Sequence, residues 1–516
     1  MEIERVAIIG AGPCGLGAAK YLIAEKKFKV ITIFEQRDQP GGVWNYTGDA
    51  GLSNSSTIQV PNAIPRQTPQ EPVNSNGTFV SPVYDALETN IPNSLMQFCD
   101  SPFPSGTALF PAHSVVRDYL HTYAEELRPY IQFQAQVLDI FVTQRLETEW
   151  AVKWRDLALN ASGEGQKVQT VVFDAVIIAN GHHNELNIPN IPGLSEWHKT
   201  FPGSITHSAL YRCPEAFADK KTLVVGHSAS GIDIASQISS ISKHPVLISE
   251  RTPSSPSSPS QAQAQPAHIH FPEITHLDAA NHLIHFTNGH IEADIANIIF
   301  CTGYHFSLPF LPPSSLDTEK PIITTGSHPH NLYNHIFYTA HPTLAFIGTP
   351  QRIVPFPFSQ AQAAYTARVF AGRVSLPPQD EMERWVDERG ATNPGQGYNE
   401  MKFPADVEYI NRMYELCMGS GVLRREGLEN GGLGMEPPVW GAKERWVRGK
   451  FPAIKEVSRG LGEARKVVTS LEELGPQRVV GAGSRSTFTD MVTVHGWAPA
   501  LGIGKSDGLL LLSGTW

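Results

Sequence analysis

The first residues of the chain carry the pattern that most limits how it folds. An apolar run, residues 6–9, leads into a G-x-G-x-x-G loop, and small residues that favour a helix follow. In such a unit the glycines permit a tight turn, the approach of a pyrophosphate and close packing of helix on strand. The helix N-terminus offers free N–H groups to phosphate. We therefore predict a dinucleotide site formed by Gly10, Ala11, Gly12, Pro13, Cys14 and Gly15.

An acidic residue follows the next predicted strand. Residues 30–34 are apolar or β-branched, and Glu35 comes directly after them. Its position, about 20 residues past the glycines, is typical of the acceptor for a ribose 2′-OH. Gln36 belongs to the same predicted site. Two glycines before an aromatic residue then favour a loop that passes close over a flat cofactor, formed by Gly41, Gly42, Val43 and Trp44.

The same theme returns in the middle of the chain, where residues 222–225 are followed by a second glycine loop. Serine replaces its middle glycine, and we expect this small residue to cap the helix and contact a phosphate. After a strand at 246–249 we interpret Arg251 as standing where the first unit has an acid. An arginine suits a 2′-phosphate and favours NADPH over NADH. The predicted second site comprises Gly226, His227, Ser228, Ala229, Ser230, Gly231 and Arg251.

Composition excludes several classes of protein. The chain has 516 residues and a net charge of −10, without a basic cluster, which argues against nucleic acid as a partner. Its five cysteines are scattered, so neither a disulfide framework nor a zinc site is indicated. The pair His268 and His270 lacks further ligands at metal spacing, and we predict no metal. The N-terminus leaves no room for a signal peptide and no run approaches the ~20 apolar residues of a membrane span, so we expect a cytoplasmic location.

Other segments give local expectations. Buried strands are predicted at 171–181 and 294–304, each ending in a turn of small residues. A helix is expected from about Ser114 to Leu127 with Ser114 as its cap. Asn90 precedes Ile-Pro and, taken alone, is a turn residue whose amide offers a donor and an acceptor.

The chain resembles the class B flavin-dependent monooxygenases, and most closely the flavin-containing monooxygenases that oxygenate nitrogen and sulfur. The resemblance covers about residues 1–475. Its most specific part is the stretch Phe201-x-Gly203-x-x-x-His207-Ser208-x-x-Tyr211 between the two glycine loops. The segments 41–44, 84–92 and 301–304 also match, with Cys301 in place of the usual alanine.

The resemblance implies the cofactors and the reaction. FAD would lie on the first loop and NADPH on the second, and reduced flavin would take up O2 as a C4a-hydroperoxide that oxygenates a soft small-molecule nucleophile. Asn90 becomes the catalytic candidate, with Thr89 beside the cofactor. His207 and Tyr211 would link the domains and order the NADPH site. A homodimer stays open, and the Ser/Pro-rich insertion suggests fungal secondary metabolism.

The predicted fold class is α/β, with two dinucleotide-binding Rossmann-like domains and the NADPH domain inserted into the FAD domain. We expect the FAD domain at 1–214 and 306–478, and the NADPH domain at 215–305 with a disordered loop at about 253–267. An irregular tail is expected at 479–516.

Three alternatives remain at this point. A Baeyer–Villiger monooxygenase usually has tryptophan where this chain has Tyr211. An NADPH-dependent disulfide reductase needs a redox cysteine pair, which the sequence lacks. A non-catalytic nucleotide-binding protein would bind flavin without substrate-dependent NADPH oxidation.

Overall fold

A computed structural model describes residues 2–48, 59–72, 78–143, 149–158, 167–243, 245–251, 268–316 and 320–475. The predicted loop at 253–267 and the tail at 479–516 lie outside these residues. The described α-helices are α1 Pro13–Ala24, α2 Asn93–Met96, α3 His113–Tyr123, α4 Leu194–Thr200, α5 Ala229–Ile238, α6 Pro355–Phe370, α7 Gln379–Thr392, α8 Ala405–Met418, α9 Glu429–Gly432, α10 Ala442–Gly460 and α11 Leu471–Leu474.

The strands are short, and most of the central ones are fully buried. They are β1 Arg5–Ile9, β2 Val30–Phe34, β3 Ile131–Gln132, β4 Ala135–Val142, β5 Trp150–Asp156, β6 Val168–Phe173, β7 Ala175–Ile178, β8 Glu185–Leu186, β9 Ile205–His207, β10 Thr222–Val225, β11 Val246–Ser249, β12 His268–Phe271, β13 Ile274–Asp278, β14 Leu283–Phe286, β15 Ile291–Ala293, β16 Asn297–Phe300, β17 Tyr304–His305, β18 Leu332–Tyr333, β19 Phe337–Tyr338 and β20 Leu344–Phe346.

Two sheets organise the molecule. A seven-stranded sheet has the order β18-β19-β20-β7-β1-β2-β3, with parallel pairing from β20 to β3. A five-stranded, wholly parallel sheet has the order β12-β11-β10-β16-β9. Strands of the first sheet come both before and after those of the second, so the second unit is inserted into the first. The predicted α/β class with two Rossmann-like units is confirmed.

The second sheet begins earlier in the chain than the predicted domain start at residue 215. Strand β9 pairs with β16, with Thr206 opposite Ile299. The preceding helix α4 also packs here, because a Cβ placed on Gly193, its N-cap, would lie 1.9 Å from the carbonyl oxygen of Leu277 in β13. The segment from Gly193 to His207 therefore contacts the inserted unit.

Two predicted elements have different bounds. The apolar run predicted as one strand at 171–181 is split at Asp174: β6 joins an antiparallel sheet with β4 and β5, and β7 joins the seven-stranded sheet. Asp174 accepts hydrogen bonds from the backbone N–H groups of Glu4 and Arg5, which fixes the break. Helix α3 begins at His113 with Ala112 as its N-cap, so the predicted cap at Ser114 is wrong.

Candidate functional site

The first glycine loop leaves no room for side chains at two positions. Gly10 has a φ of +104°, and a Cβ there would lie 2.7 Å from the carbonyl oxygen of Ala179. A Cβ on Gly15 would lie 1.9 Å from the carbonyl oxygen of Gly10. These approaches let α1 begin directly over the end of β1. The loop therefore brings the N-terminus of α1 to the carboxyl edge of the sheet, where ligands of open α/β sheets bind.

The N-terminus of α1 has the features of a phosphate site. Its N-cap, Gly12, has extended backbone and no side chain that could cap the helix, and Pro13 occupies the first turn. Proline at the first helical position is favourable because the N–H it lacks would have no partner within the helix. The remaining N–H groups of the first turn need acceptors. A pyrophosphate bound here would supply them and would match the positive end of the helix dipole.

Glu35 lies buried beside this loop. Its carboxylate accepts hydrogen bonds from the backbone N–H groups of Ala11 at 2.8 Å and Arg37 at 2.9 Å. Burial raises the pKa of Glu35, while these hydrogen bonds lower it less strongly. The acid thus holds the loop in shape, and the partly exposed Gln36 follows it at the predicted ribose position.

The loop predicted to pass over the cofactor contacts the first glycine loop. The N–H of Gly41 donates to the carbonyl oxygen of Ala11 at 2.9 Å. A Cβ on Gly42 would lie 3.1 Å from the Cα of Gly12. A short 3-10 helix, Gly42–Trp44, continues from this contact and leaves Val43 and Trp44 partly exposed. The two glycine segments therefore form one continuous cradle.

The second glycine loop repeats the first in detail. A Cβ on Gly226, whose φ is +99°, would lie 2.6 Å from the carbonyl oxygen of Cys301. A Cβ on Gly231 would lie 2.0 Å from the carbonyl oxygen of Gly226. Ser228 is the N-cap of α5 with extended backbone like Gly12, but its side chain makes no capping hydrogen bond. Serine therefore occupies the N-cap as expected but without the side-chain hydrogen bond of a cap, and Ala229 and Ser230 begin the helix.

The two units also match at the end of their second strands. Gly10 donates to Phe34 at 2.8 Å, and Gly226 donates to Ser249 at 2.8 Å. The next residue, Glu35 in one unit and Glu250 in the other, donates its own N–H to the neighbouring strand at 3.0 Å in both cases. Glu250, and not the residue after it, therefore occupies the position of the ribose-binding acid.

This register corrects the sequence interpretation of Arg251. Arg251 is one residue beyond the acid position and its side chain is exposed. The second unit thus has both an acid suited to a 2′-OH and an arginine suited to a 2′-phosphate.

Two histidines contact Glu250. Nδ1 of His227 lies 3.2 Å from one carboxylate oxygen, and Nδ1 of His270 lies 2.8 Å from the other. The three residues have possible ligand atoms within 4.8 Å of one another. An acid therefore does accompany the histidine pair of β12, which corrects the expectation that no further ligand stands near it.

Asn90 lies on a bend and is exposed, and none of the hydrogen bonds recorded among the described residues engages its side chain. The flanking residues hold the bend. The N–H of the buried Thr89 donates to the carbonyl of Pro111, and its hydroxyl donates to the carbonyl of Ile91, both at 2.9 Å. Ile91 packs in the same apolar cluster as Leu16 of α1. Asn90 is thus presented to solvent from a backbone fixed to the first unit.

The segment between the glycine loops forms buried contacts within the second unit. His207 is fully buried: Nδ1 accepts the N–H of Ala209 at 3.2 Å, and Nε2 donates to the carbonyl of Gly303 at 3.1 Å. Burial lowers the pKa of His207 to about 4. The hydroxyl of Tyr211 donates to Gln237 of α5 at 3.0 Å. His207 is therefore held neutral and has no role as a proton donor in this arrangement.

Contacts between the two units involve residues that sequence reasoning missed. The hydroxyl of Tyr84 donates to Asp233 of α5, and Arg459 of α10 pairs with the same carboxylate at 3.1 Å. The ring of Tyr84 meets that of Tyr211 edge to face, with centroids 5.3 Å apart. Tyr84 belongs to the segment that carries Asn90, whereas nothing local in the sequence marks Asp233 or Arg459.

A cavity opens at the carboxyl ends of β7 and β20. A Cβ on Gly348 would lie 2.4 Å from Sγ of Cys14, so this edge is close to the first glycine loop. The turns of small residues that follow these parallel strands lie together at this edge of the sheet, where ligands of open α/β sheets bind. Residues that line it include Asn180, Gly181, His182, Phe306, Ile347 and Thr349.

Comparisons with known proteins give a consistent result. The family model for flavin-binding monooxygenase-like proteins matches residues 74–272 and 269–423, and a model of the NAD(P)-binding Rossmann-like domain matches 8–62. The chain is 30% identical over 427 residues to flavin-containing monooxygenase ustF2 of Aspergillus flavus, covering 74% of this chain and 85% of the relative. It is 32% identical over 431 residues to flavin-containing monooxygenase FMO GS-OX-like 2 of Arabidopsis thaliana, covering 80% and 85%.

Among solved structures, the S-allyl-L-cysteine S-oxygenase of Allium sativum superposes with a TM-score of 0.71 at 26% identity, covering 92% of this chain and 97% of that one. None of the helices in the described ranges combines the length and apolar character needed to cross a bilayer. The two matched glycine loops, the segment 201–211 between them (the bridging segment) and these similarities agree. The chain belongs to the flavin-binding monooxygenase-like family, whose cofactors are FAD and NADPH.

Proposed function

We propose that this protein uses NADPH and O2 to oxygenate a soft nitrogen or sulfur atom of a small molecule. The observation that carries the proposal is the cradle formed by Gly12 and Gly42, with Asn90 exposed on a segment fixed to the same unit. The similarity to an S-allyl-L-cysteine S-oxygenase supports the sulfur part of this substrate class.

The residues of each loop fit the group assigned to it. FAD would be held by residues 10–15 and 42–44, with Glu35 and Gln36 at its ribose, and NADPH by residues 226–231 and Arg251. When bound, the flavin takes hydride from NADPH and activates O2, and this chemistry belongs to the cofactor. The chain itself supplies orientation, hydrogen bonds and exclusion of water.

Asn90 is the chain's candidate for direct contact with the reacting atoms. Its amide offers both a donor and an acceptor, and the Thr89 hydroxyl is already bonded to Ile91. The buried neighbours fix the backbone that carries this amide, so its Cα position is set before substrate arrives. We propose that it orients the reacting oxygen toward the substrate, which is itself the nucleophile.

The rival activities predict different results. A disulfide reductase requires a thiolate near the flavin, but burial raises the pKa of Cys14, the cysteine of the first loop, to about 11. A Baeyer–Villiger enzyme would convert cyclic ketones, and a non-catalytic protein would show no substrate-dependent NADPH oxidation. Purified yellow protein is therefore assayed against a panel of amines, sulfides, thiols and one cyclic ketone, with product identified by mass spectrometry.

The chain offers a matched control for Asn90. Asn190 is also exposed and also precedes Ile-Pro. We expect Asn90→Ala to lose product formation while keeping its flavin, and Asn190→Ala to keep both. Equal turnover of the two variants would contradict the role of Asn90, and turnover of the ketone alone would contradict the proposed substrate class.

A further inference from the structure

The two nucleotide units match in backbone but differ in what surrounds the acid. In the first unit the carboxylate of Glu35 accepts the N–H groups of Ala11 and Arg37. In the second unit His227 stands where the first has Ala11, and its imidazole contacts Glu250. His270 approaches the other carboxylate oxygen from β12, with its ring centroid 5.0 Å from that of His227.

This difference matters because the acid position meets the ribose of the adenosine. A carboxylate there accepts a hydrogen bond from the 2′-OH of NADH and repels the 2′-phosphate of NADPH. Arg251, the next residue, attracts the phosphate. Glu250 thus favours NADH and the adjacent Arg251 favours NADPH, and the charge of the two histidines decides between these preferences.

We propose that His227, Glu250 and His270 together select the coenzyme, so that the protein uses NADH as well as NADPH and shifts toward NADPH as the pH falls. With both imidazoles neutral the cluster has a charge of −1, and with both protonated it has a charge of +1. The charge of the cluster therefore depends on the protonation of its two imidazoles. The inference rests on the proposed function in one respect, that the second loop holds a nicotinamide dinucleotide.

Other charged or titratable groups lie on the elements that carry the cluster or pack against them: Arg251, His268 and Asp233. His268, two residues before His270, lies with Nε2 3.4 Å from the carbonyl oxygen of Ala235 in α5. The carboxylate of α5, Asp233, is paired with Arg459 at 3.1 Å.

The test measures binding of NADP+ and NAD+ to the flavin-loaded protein by calorimetry at about pH 5.5, 7 and 8.5, with kcat/KM for both reduced coenzymes as a second readout. We expect the preference for NADP+ over NAD+ to fall about tenfold from the lowest to the highest pH, as one charge next to another commonly changes affinity by that factor. The 2′-phosphate gains negative charge as the pH rises past about 6, and this change by itself would raise the preference for NADP+. A fall in preference therefore reports on the protein.

Variants separate the cluster from general electrostatics. At about pH 8.5 Glu250→Gln should raise the preference for NADP+ about tenfold, because the repulsion is removed. Glu273→Gln is the matched control: Glu273 is exposed, carries the same charge and lies just past β12. We expect this control to leave the preference unchanged. The double variant His227→Gln, His270→Gln should lose the fall in NADP+ preference with rising pH and keep only the opposite change that the 2′-phosphate causes.

Each contrary outcome has one meaning. Absence of binding by either dinucleotide would overturn the proposed function itself. Binding with a preference that neither pH nor Glu250→Gln changes would overturn this inference alone. A pH response abolished by a chelator would show that a metal ion bridges the three residues, and would overturn it too. Wild-type measurements against pH need no variant, so a poorly folding variant does not prevent a decision.

Discussion

The hydrogen bonds of His207 allow only one protonation state in the folded protein. Nδ1 accepts a hydrogen bond from the N–H of Ala209, and Nε2 donates to the carbonyl of Gly303. A second proton would have to go on Nδ1, where it would face the N–H of Ala209. Burial also opposes the charge, and together these effects hold the pKa of His207 at about 4. Acid should therefore weaken the folded state through this residue.

The sign and size follow from the two pKa values. In the unfolded chain the histidine takes its proton near pH 6.5, but in the folded chain only near 4, so the unfolded state binds more protons between these values. The contribution of His207 to stability is complete above pH 6.5 and falls as the pH falls toward 4. A difference of about 2.5 pKa units corresponds to about 3 kcal/mol over the whole window, of which about 2 kcal/mol is lost by pH 5.

The assay is urea unfolding of the flavin-loaded protein at about pH 7.5 and about pH 5, for wild type and His207→Gln. Glutamine keeps a donor for Gly303 but does not titrate. We expect the variant to be less stable at the higher pH, since packing is disturbed, but to lose about 2 kcal/mol less than wild type on acidification. His276→Gln, which changes an exposed histidine, should lose as much as wild type. A full wild-type loss in His207→Gln would refute the reasoning.

Three further predictions concern stability and coenzyme binding. Arg373→Met should lower the free energy of unfolding in urea by about 3–5 kcal/mol, because it leaves Glu25, its partner at 2.6 Å, charged and buried. Adding Glu25→Gln should restore part of this free energy. Burial opposes ionisation of Glu88, but the two cations that pair with it outweigh this effect and lower its pKa. The wild-type protein should therefore lose stability as the pH falls below about 4.5, and Glu88→Gln should lose less stability over the same range. Gly231→Ala should abolish NADP+ binding in calorimetry while the flavin stays bound, whereas Gly390→Ala, where a Cβ meets nothing within 4 Å, should change neither.

The first unit was predictable because its signals are local. Gly10, Gly15 and Glu35 fall within one strand–helix–strand unit, and their spacing is enough to place them in space. The second loop was predictable for the same reason, and the structure repeats its contacts at Gly226 and Gly231 to within 0.1 Å of those at Gly10 and Gly15.

The acid of the second unit was misplaced because its position depends on register rather than on residue type. Counting from an apolar run leaves the strand end uncertain by a residue, and an arginine beside a glutamate made either position plausible. The backbone hydrogen bond of Glu250 to Phe271 settles it, and β12, which supplies that partner, follows a low-complexity segment. The same strand pairing places His270 opposite Ile248 and so beside Glu250. No local sequence pattern specifies this register.

The break between β6 and β7 is a second feature that local sequence could not predict. Residues 171–178 form a nearly continuous apolar run, and only Asp174 interrupts it. A single acid in a strand is ordinarily an outward-facing residue, but here it pairs with Arg5 at 2.5 Å and caps the start of β1. The partner is 169 residues away, so the division of one run between two sheets follows from a long-range contact.

The position of Asn90 relative to the second unit depends on one face of α5. The carboxylate of Asp233 accepts hydrogen bonds from Tyr84, in the segment that carries Asn90, and from Arg459 of α10. One turn later, Gln237 accepts a hydrogen bond from Tyr211 of the bridging segment. Gln237 also donates to Asp233 at 2.9 Å, which joins these contacts into one network. Since α5 begins at the second glycine loop, a nucleotide that binds its N-terminus acts on the same rigid helix that holds the Asn90 segment. The proposed hydride donor and the proposed reacting centre at Asn90 would thereby be placed by a shared element.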